Sequence, residues 1–332
     1  MRRDGFALAG AGVVMMKELA DNLSSVRMRL LELLVFVAGA GAVYATLTEV
    51  RSIVSEDPFV FLRLFTTPKA PLPSFVAFLG FLIPIVAIAL GFDSVNSEFN
   101  HRTMSRLLAQ PIYRDALLFG KFLAGLATLA ITLTALWLFV IGLGVLLLGL
   151  PPSGEEVARG FTFLLAAIAY SGVWLALALL FSVVFRSAAT AALAALSVWL
   201  LFAFFWSMLV SLIAPIVAPT DPDNLASLLH NANVAEALSR LSPNTLFAET
   251  ALAALNPSTR SLGVVLSSQL QGAISAPLPF AQSVALIWPL ETAAVGFCAA
   301  PVKPQTDATA RQPAMSVVLF IGFQDPFFRD PL

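Results

Sequence analysis

Five long apolar runs constrain this chain more than any other feature. They lie at about Leu30–Leu47, Leu72–Phe92, Phe122–Leu150, Gly160–Phe185 and from just after Ser187 to Pro219. A spanning helix needs about 20 largely apolar residues to cross roughly 30 Å of hydrocarbon. Hydrocarbon offers no partner to a backbone amide or carbonyl, so runs of this length fold as helices. Glu32, at the entry of the first run, is the only charge within any of them. The expected fold is therefore all-α, a polytopic membrane helix bundle with five clear transmembrane helices.

A sixth stretch, Pro277 to Pro301, begins like a span and then meets Pro289 and Glu291. A carboxylate at depth costs a few kcal/mol on insertion scales, so this span reads as incomplete or altered. The apolar run Met315–Phe323 is too short to cross as a helix. Composition agrees with the bilayer reading, because 58% of the 332 residues are hydrophobic and only 12% are charged. Soluble domains carry about 25% charged residues.

Lysine and arginine counts in alternate loops predict the orientation. One side collects thirteen, counting the N-terminus, the second-to-third loop, Arg186 and the tail, against six on the other. The N-terminus is thus predicted to be cytoplasmic. Its first dozen residues carry Arg2 and Arg3 and a short apolar run. Lys17, Glu18 and Asp21 follow without a well-placed small-residue cleavage site, so this part reads as a mature cytoplasmic segment. On the outer side, Phe59–Phe65 is expected to lie at the interface. Residues 220–276 are expected to hold two short amphipathic helices, broken at Ser242-Pro243 and ended by Asn256-Pro257.

Several chemistries lack their signatures. A net charge of −1 gives no support for nucleic-acid binding. One cysteine, Cys298, permits no intrachain disulfide and no cysteine cluster for a metal. His101 and His230 sit in no metal-ligand spacing. There is no phosphate loop, zinc-protease motif or nucleophile elbow. Charged residues are absent from the interiors of the spans, where ion-coupled carriers usually keep them.

One polar segment stands apart. Phe92 to Lys121 holds seven fixed charges and a histidine. Phe99, Met104, Leu107 and Leu108 can share one apolar helix face, while Glu98, Arg102 and Arg106 repeat at every fourth residue on another. Glu98 and Arg102 are spaced and ordered for a helical ion pair of about 0.3 kcal/mol. Pro111 ends that helix, since the residue before a proline is pushed out of the α region. The residues by themselves leave two readings open: an interfacial anchor, or a lever on which a soluble partner pushes.

These residues resemble the type-2 ABC transporter permeases, in particular their NosY-like branch. That family's coupling helix has an acidic residue, then Gly or Arg followed by Thr, a Leu-Leu pair, Pro-Ile or Pro-Val, an arginine and Gly-Lys leading into the third span. The matching positions here are Glu98, Arg102, Thr103, Leu107, Leu108, Pro111, Ile112, Arg114, Gly120 and Lys121. Met16–Leu34 is similar to the family's N-terminal elbow, Leu238–Glu249 to the outer loop before the last span, and Phe280–Pro289 to the start of that span. From about Leu290 the sequence departs from the pattern and reads as a frame-shifted or otherwise altered end.

The resemblance implies a permease subunit of an ATP-driven exporter that is not itself an enzyme. It would hold no cofactor of its own, ATP being bound by separate cytoplasmic ABC ATPase subunits. A second permease subunit, as a homodimer, and membrane lipid are the other implied partners, in a prokaryotic cytoplasmic membrane. The ATPase contact is expected at Glu98, Phe99, Arg102, Thr103, Met104, Arg106, Leu107, Leu108, Pro111 and Arg114. The corresponding organisation is 1–29 as cytoplasmic segment with elbow helix and 30–219 as the five-helix bundle with its coupling helix at 93–121. Residues 220–276 follow as an outer loop domain, 277–300 as the degenerate sixth span and 301–332 as an irregular tail. The alternatives are a stand-alone channel or carrier, or a non-transporting scaffold.

Overall fold

A computed structural model of the chain describes residues 10–53, 59–68, 73–100, 114–149, 151–221, 223–257 and 278–287. Among these residues the secondary structure is helical throughout, with no strand. The elements are α1 (Ala11–Ser24), α2 (Val26–Ile53), α3 (Val60–Thr66), α4 (Phe75–Gly91), α5 (Asn96–Asn100) and α6 (Arg114–Leu148). They continue with α7 (Gly154–Val184), α8 (Ala188–Leu200), a π turn at Leu201–Phe205, α9 (Trp206–Val217), α10 (Leu225–Ser239) and α11 (Pro243–Leu255). Residues 280–287 form a further helical segment.

Among the described residues, five helices are long and apolar enough to cross a membrane: α2, α4, α6, α7 and the continuous rod of α8, π turn and α9. These are the five runs read from the sequence, which makes the chain an all-α polytopic membrane helix bundle. Their ends differ because a helix does not stop where apolarity stops. α6 starts at Arg114, eight residues before the apolar run, and α7 at Gly154, six before.

α7 is the central post, packed against α4, α6, α8 and α11. Its buried face includes Trp174, Leu175 and Ala178. Gly91 at the end of α4 sits so close that a Cβ there would meet that of Ala178 at 2.8 Å, a small-residue contact of the kind that lets membrane helices approach. The α8–α9 rod is peripheral, with Phe204, Phe205, Met208 and Ile216 exposed.

The stretch Met16–Leu34 is divided between two helices: Ser25 adopts an extended backbone after α1, and its hydroxyl accepts from the Met28 amide at 3.1 Å. Ser25 thus acts as the N-cap of α2, a role its short side-chain oxygen suits. The segment Phe59–Phe65, expected at the interface, packs against the bundle. It forms most of α3, and Val60, Phe61, Leu62, Leu64 and Phe65 are buried in the main core.

Glu156 explains that placement. In the first turn of α7 it completes a capping box with Ser153, and its other oxygen accepts from the Phe61 amide at 2.8 Å. One carboxylate thereby satisfies donors at the starts of two helices, which draws α3 into the bundle. The two helices expected within residues 220–276 occur as α10 and α11, with Pro243 in the first turn of α11. α11 is more deeply set than a covering helix, with Phe247, Ala251, Ala254 and Leu255 in the core.

Candidate functional site

Of the ten residues expected to meet an ATPase, Glu98, Phe99 and Arg114 fall within described helices. Glu98 and Phe99 belong to α5, and Arg114 opens α6. Arg102, Thr103, Met104, Arg106, Leu107, Leu108 and Pro111 lie outside the described residues, as does the expected Glu98–Arg102 pair. The polar corner that leads into them is well defined, and its chemistry starts from Lys121.

Lys121 sits in the second turn of α6 with its side chain only 3% exposed. Its ammonium lies 2.9 Å from Glu18 Oε1 on α1 and 3.6 Å from Glu98 Oε1 on α5. A buried ammonium without partners would be costly, and two carboxylates at this range supply the compensation. Three separate stretches of chain meet at this one nitrogen. Lys17 shares Glu18 at 3.2 Å and reaches Asp21 at 3.4 Å. Burial lowers the Lys17 pKa, but Glu18 and Asp21 more than offset it and hold the pKa above its ordinary value.

Close packing allows α1 to reach this corner. Gly120 leaves no room for a side chain, since a Cβ there would meet the Ala11 carbonyl oxygen and the Val14 Cβ, both at 2.9 Å. Further along the same contact, Asn22 reaches the Thr128 hydroxyl at 3.5 Å. The Thr132 hydroxyl lies 3.0 Å from Glu32 Oε1, so the carboxylate at the start of the first span also has a partner on α6.

The chain between α4 and α5 is tied to two more helices. Arg27 of α2 grips Asp93 with both guanidinium nitrogens, at 2.8 and 3.2 Å, and its head group lies over the Phe92 ring. The Ser182 hydroxyl oxygen of α7 accepts from the backbone amides of Val95 and Asn96, at 3.1 and 3.3 Å. These donors open a helix that has no earlier turn to bond to. Asp93–Glu98 is thus held by side chains of α2, α6 and α7, with α1 joined through Lys121.

A second polar knot lies at the other end of α7. Arg159 is fully buried. It pairs with Glu155 and donates to Ser283 Oγ at 3.0 Å and to the carbonyls of Leu278 and Ala254. Its guanidinium lies between the rings of Phe59 and Phe280. Sequence reading treats Lys121 and Arg159 as boundary charges that frame a span. Their burial carries no local signature, and the i,i+4 spacing of Glu155 and Arg159 is the one hint available.

A bundle of this topology with a polar corner on its second-to-third connection defines a class, and comparison with known proteins agrees. The profile of the ABC-2 family transporter proteins matches residues 13–299. The chain belongs to this family and is a multi-pass membrane protein. It is similar to the probable ABC transporter permease protein NosY of Stutzerimonas stutzeri, with 29% identity over 170 residues. That alignment covers 50% of this chain and 60% of that protein. The family match continues to residue 299, past Glu291, where the sequence pattern changes.

Proposed function

We propose that this chain is the transmembrane half of an ATP-driven exporter, paired with a second copy of itself and driven by separate cytoplasmic ABC ATPase subunits. In this reading the N-terminus and the 93–121 segment face the cytoplasm of a prokaryotic cell, and lipid surrounds the α8–α9 rod. ATP binding closes the ATPases, which push on the segment from Glu98 to Arg114. The observation that carries this is the bracing of Asp93–Glu98 by α2, α6 and α7, with α1 joined through Lys121. A push on a segment so held moves the bundle rather than bending the loop. An interfacial anchor would need no such bracing.

The test is reconstitution with the cognate ATPase, recovered from the native membrane-associated proteome by pull-down. Reversing two charges together, Glu98→Arg with Arg106→Glu, is expected to leave insertion intact and to abolish transport-linked ATP turnover. Unaltered turnover in that variant sinks the coupling role. Recovery of no ATPase by a well-folded preparation favours a self-sufficient channel or a scaffold.

A further inference from the structure

Away from the polar corner, α4, α8, the π turn and α11 enclose a cavity of about 390 Å³, within the range of small-molecule sites. Its wall is aromatic. Phe81 meets Trp199 edge to face at 5.0 Å between centroids, and Phe204 lies 6.5 and 6.4 Å from those two rings. Phe247 of α11 closes the other side. None of the lining residues carries a charge, so an ionic guest would lose its hydration without compensation. Phe81 and Phe204 are also exposed on the outside of the bundle, which opens the site toward the apolar phase.

The polar chemistry of the wall follows from a proline. Pro84 lies inside α4 and has no N–H, so the Gly80 carbonyl four residues earlier has no helical donor. The Tyr170 hydroxyl lies 2.9 Å from that oxygen and supplies it. A hydroxyl has one proton, and this one is committed to an oxygen that can only accept. Asn244 Oδ1 stands 2.7 Å from the same hydroxyl, but the single hydroxyl proton cannot serve both oxygens, so we assign the Asn244 amide the other way round, with its NH₂ end donating to Tyr170. The Asn244 carbonyl oxygen is then the free end of an amide that lines the cavity. Trp199 in the same wall is 4% exposed, and its indole N–H has no partner. Buried polar groups are seldom left unsatisfied without a reason.

We propose that this cavity binds a neutral amphiphile, an apolar body seated among Phe81, Trp199, Phe204 and Phe247 with one hydroxyl that donates to the Asn244 carbonyl oxygen. The site recognises an uncharged alcohol and discriminates against ethers, which cannot donate, and against carboxylates, which carry charge. This chemistry is shared by a lipid alcohol resident in the membrane and by a free solute alcohol.

The experiment uses the full chain in lipid nanodiscs and a long-chain primary alcohol bearing a photoreactive diazirine, with its methyl ether as the control. Labelled residues are mapped by mass spectrometry. The alcohol is expected to label the cavity wall, and the ether at least about tenfold less, the size of one lost buried hydrogen bond. Asn244→Leu should reduce alcohol labelling by a similar factor. Ala203→Phe, or Ala248→Phe if the first folds poorly, should abolish it by filling the space. Equal labelling by alcohol and ether overturns the proposal, as does labelling that survives both filling variants. Competition by added diacylglycerol assigns the natural ligand to the lipid; its failure, with labelling intact, assigns a free solute. No ATPase takes part, so the result is independent of the coupling role.

Discussion

The guanidinium of Arg159 donates to the hydroxyl of Ser283 at 3.0 Å, across 124 residues of chain. This bond belongs to a set that fastens the start of α7 to the end of α11 and to residues 278–287. The Ala254 carbonyl in the last turn of α11 is one of the acceptors, a place where a cation also suits the helix dipole. One side chain therefore decides how the outer elements sit on the central post.

Arg159→Met keeps an apolar stem and removes every donor. The loss is expected to be about 3 kcal/mol, since several acceptors are orphaned where water does not reach. Thermal unfolding in detergent measures it, and a Ser283→Cys reporter should become reactive toward a water-soluble maleimide. Glu155→Gln should cost less than Arg159→Met, because the Glu155 side chain is 40% exposed and the buried guanidinium keeps its acceptors at Ser283, Leu278 and Ala254. Equal losses in the two variants would contradict this account.

Lys121→Met leaves Glu18 and Glu98 facing each other, 17% and 15% exposed, with their shared ammonium gone. A loss of about 1–3 kcal/mol is expected, because both carboxylates lose the buried ammonium they share, while Lys17 stays beside Glu18. Adding Glu98→Gln should recover part of it by removing the repulsion. A double variant no more stable than Lys121→Met would show that the two carboxylates do not share the lysine.

Gly120→Val would press a branched side chain into the backbone of α1 at Ala11 and into Val14. Overpacking of this kind costs about 1–3 kcal/mol, and α1 is the element free to leave. Proteolysis should release the N-terminal segment while the spans stay protected. Gly12→Ala on the same helix meets nothing within 4 Å. It should instead stabilise by up to about 1 kcal/mol through helix propensity.

Tyr170→Phe deprives the Gly80 carbonyl of its donor and should cost about 1–3 kcal/mol. Pro84→Ala restores a backbone N–H four residues on and gives that oxygen its helical partner back. The cost of Tyr170→Phe should therefore shrink in a Pro84→Ala background. A double-mutant cycle with no coupling would separate the proline from the tyrosine.

The amino-acid sequence by itself determined the five clear spans and the helical class, because apolarity over about 20 residues is a local property that the bilayer reads directly. It also marked Phe92–Lys121 as the polar exception and set the break between α10 and α11 at Ser242-Pro243. What it left undecided depends on partners distant in sequence. Phe59–Phe65 suits an interface and a core equally well, and contacts distant in sequence decide between them, such as that of the Phe61 amide with the carboxylate of Glu156, 95 residues beyond. Lys121 and Arg159 end apolar runs as any snorkelling cation would. Only the tertiary structure closed carboxylates, carbonyls and rings around them, since burying a cation is stable only where folding brings its acceptors to it.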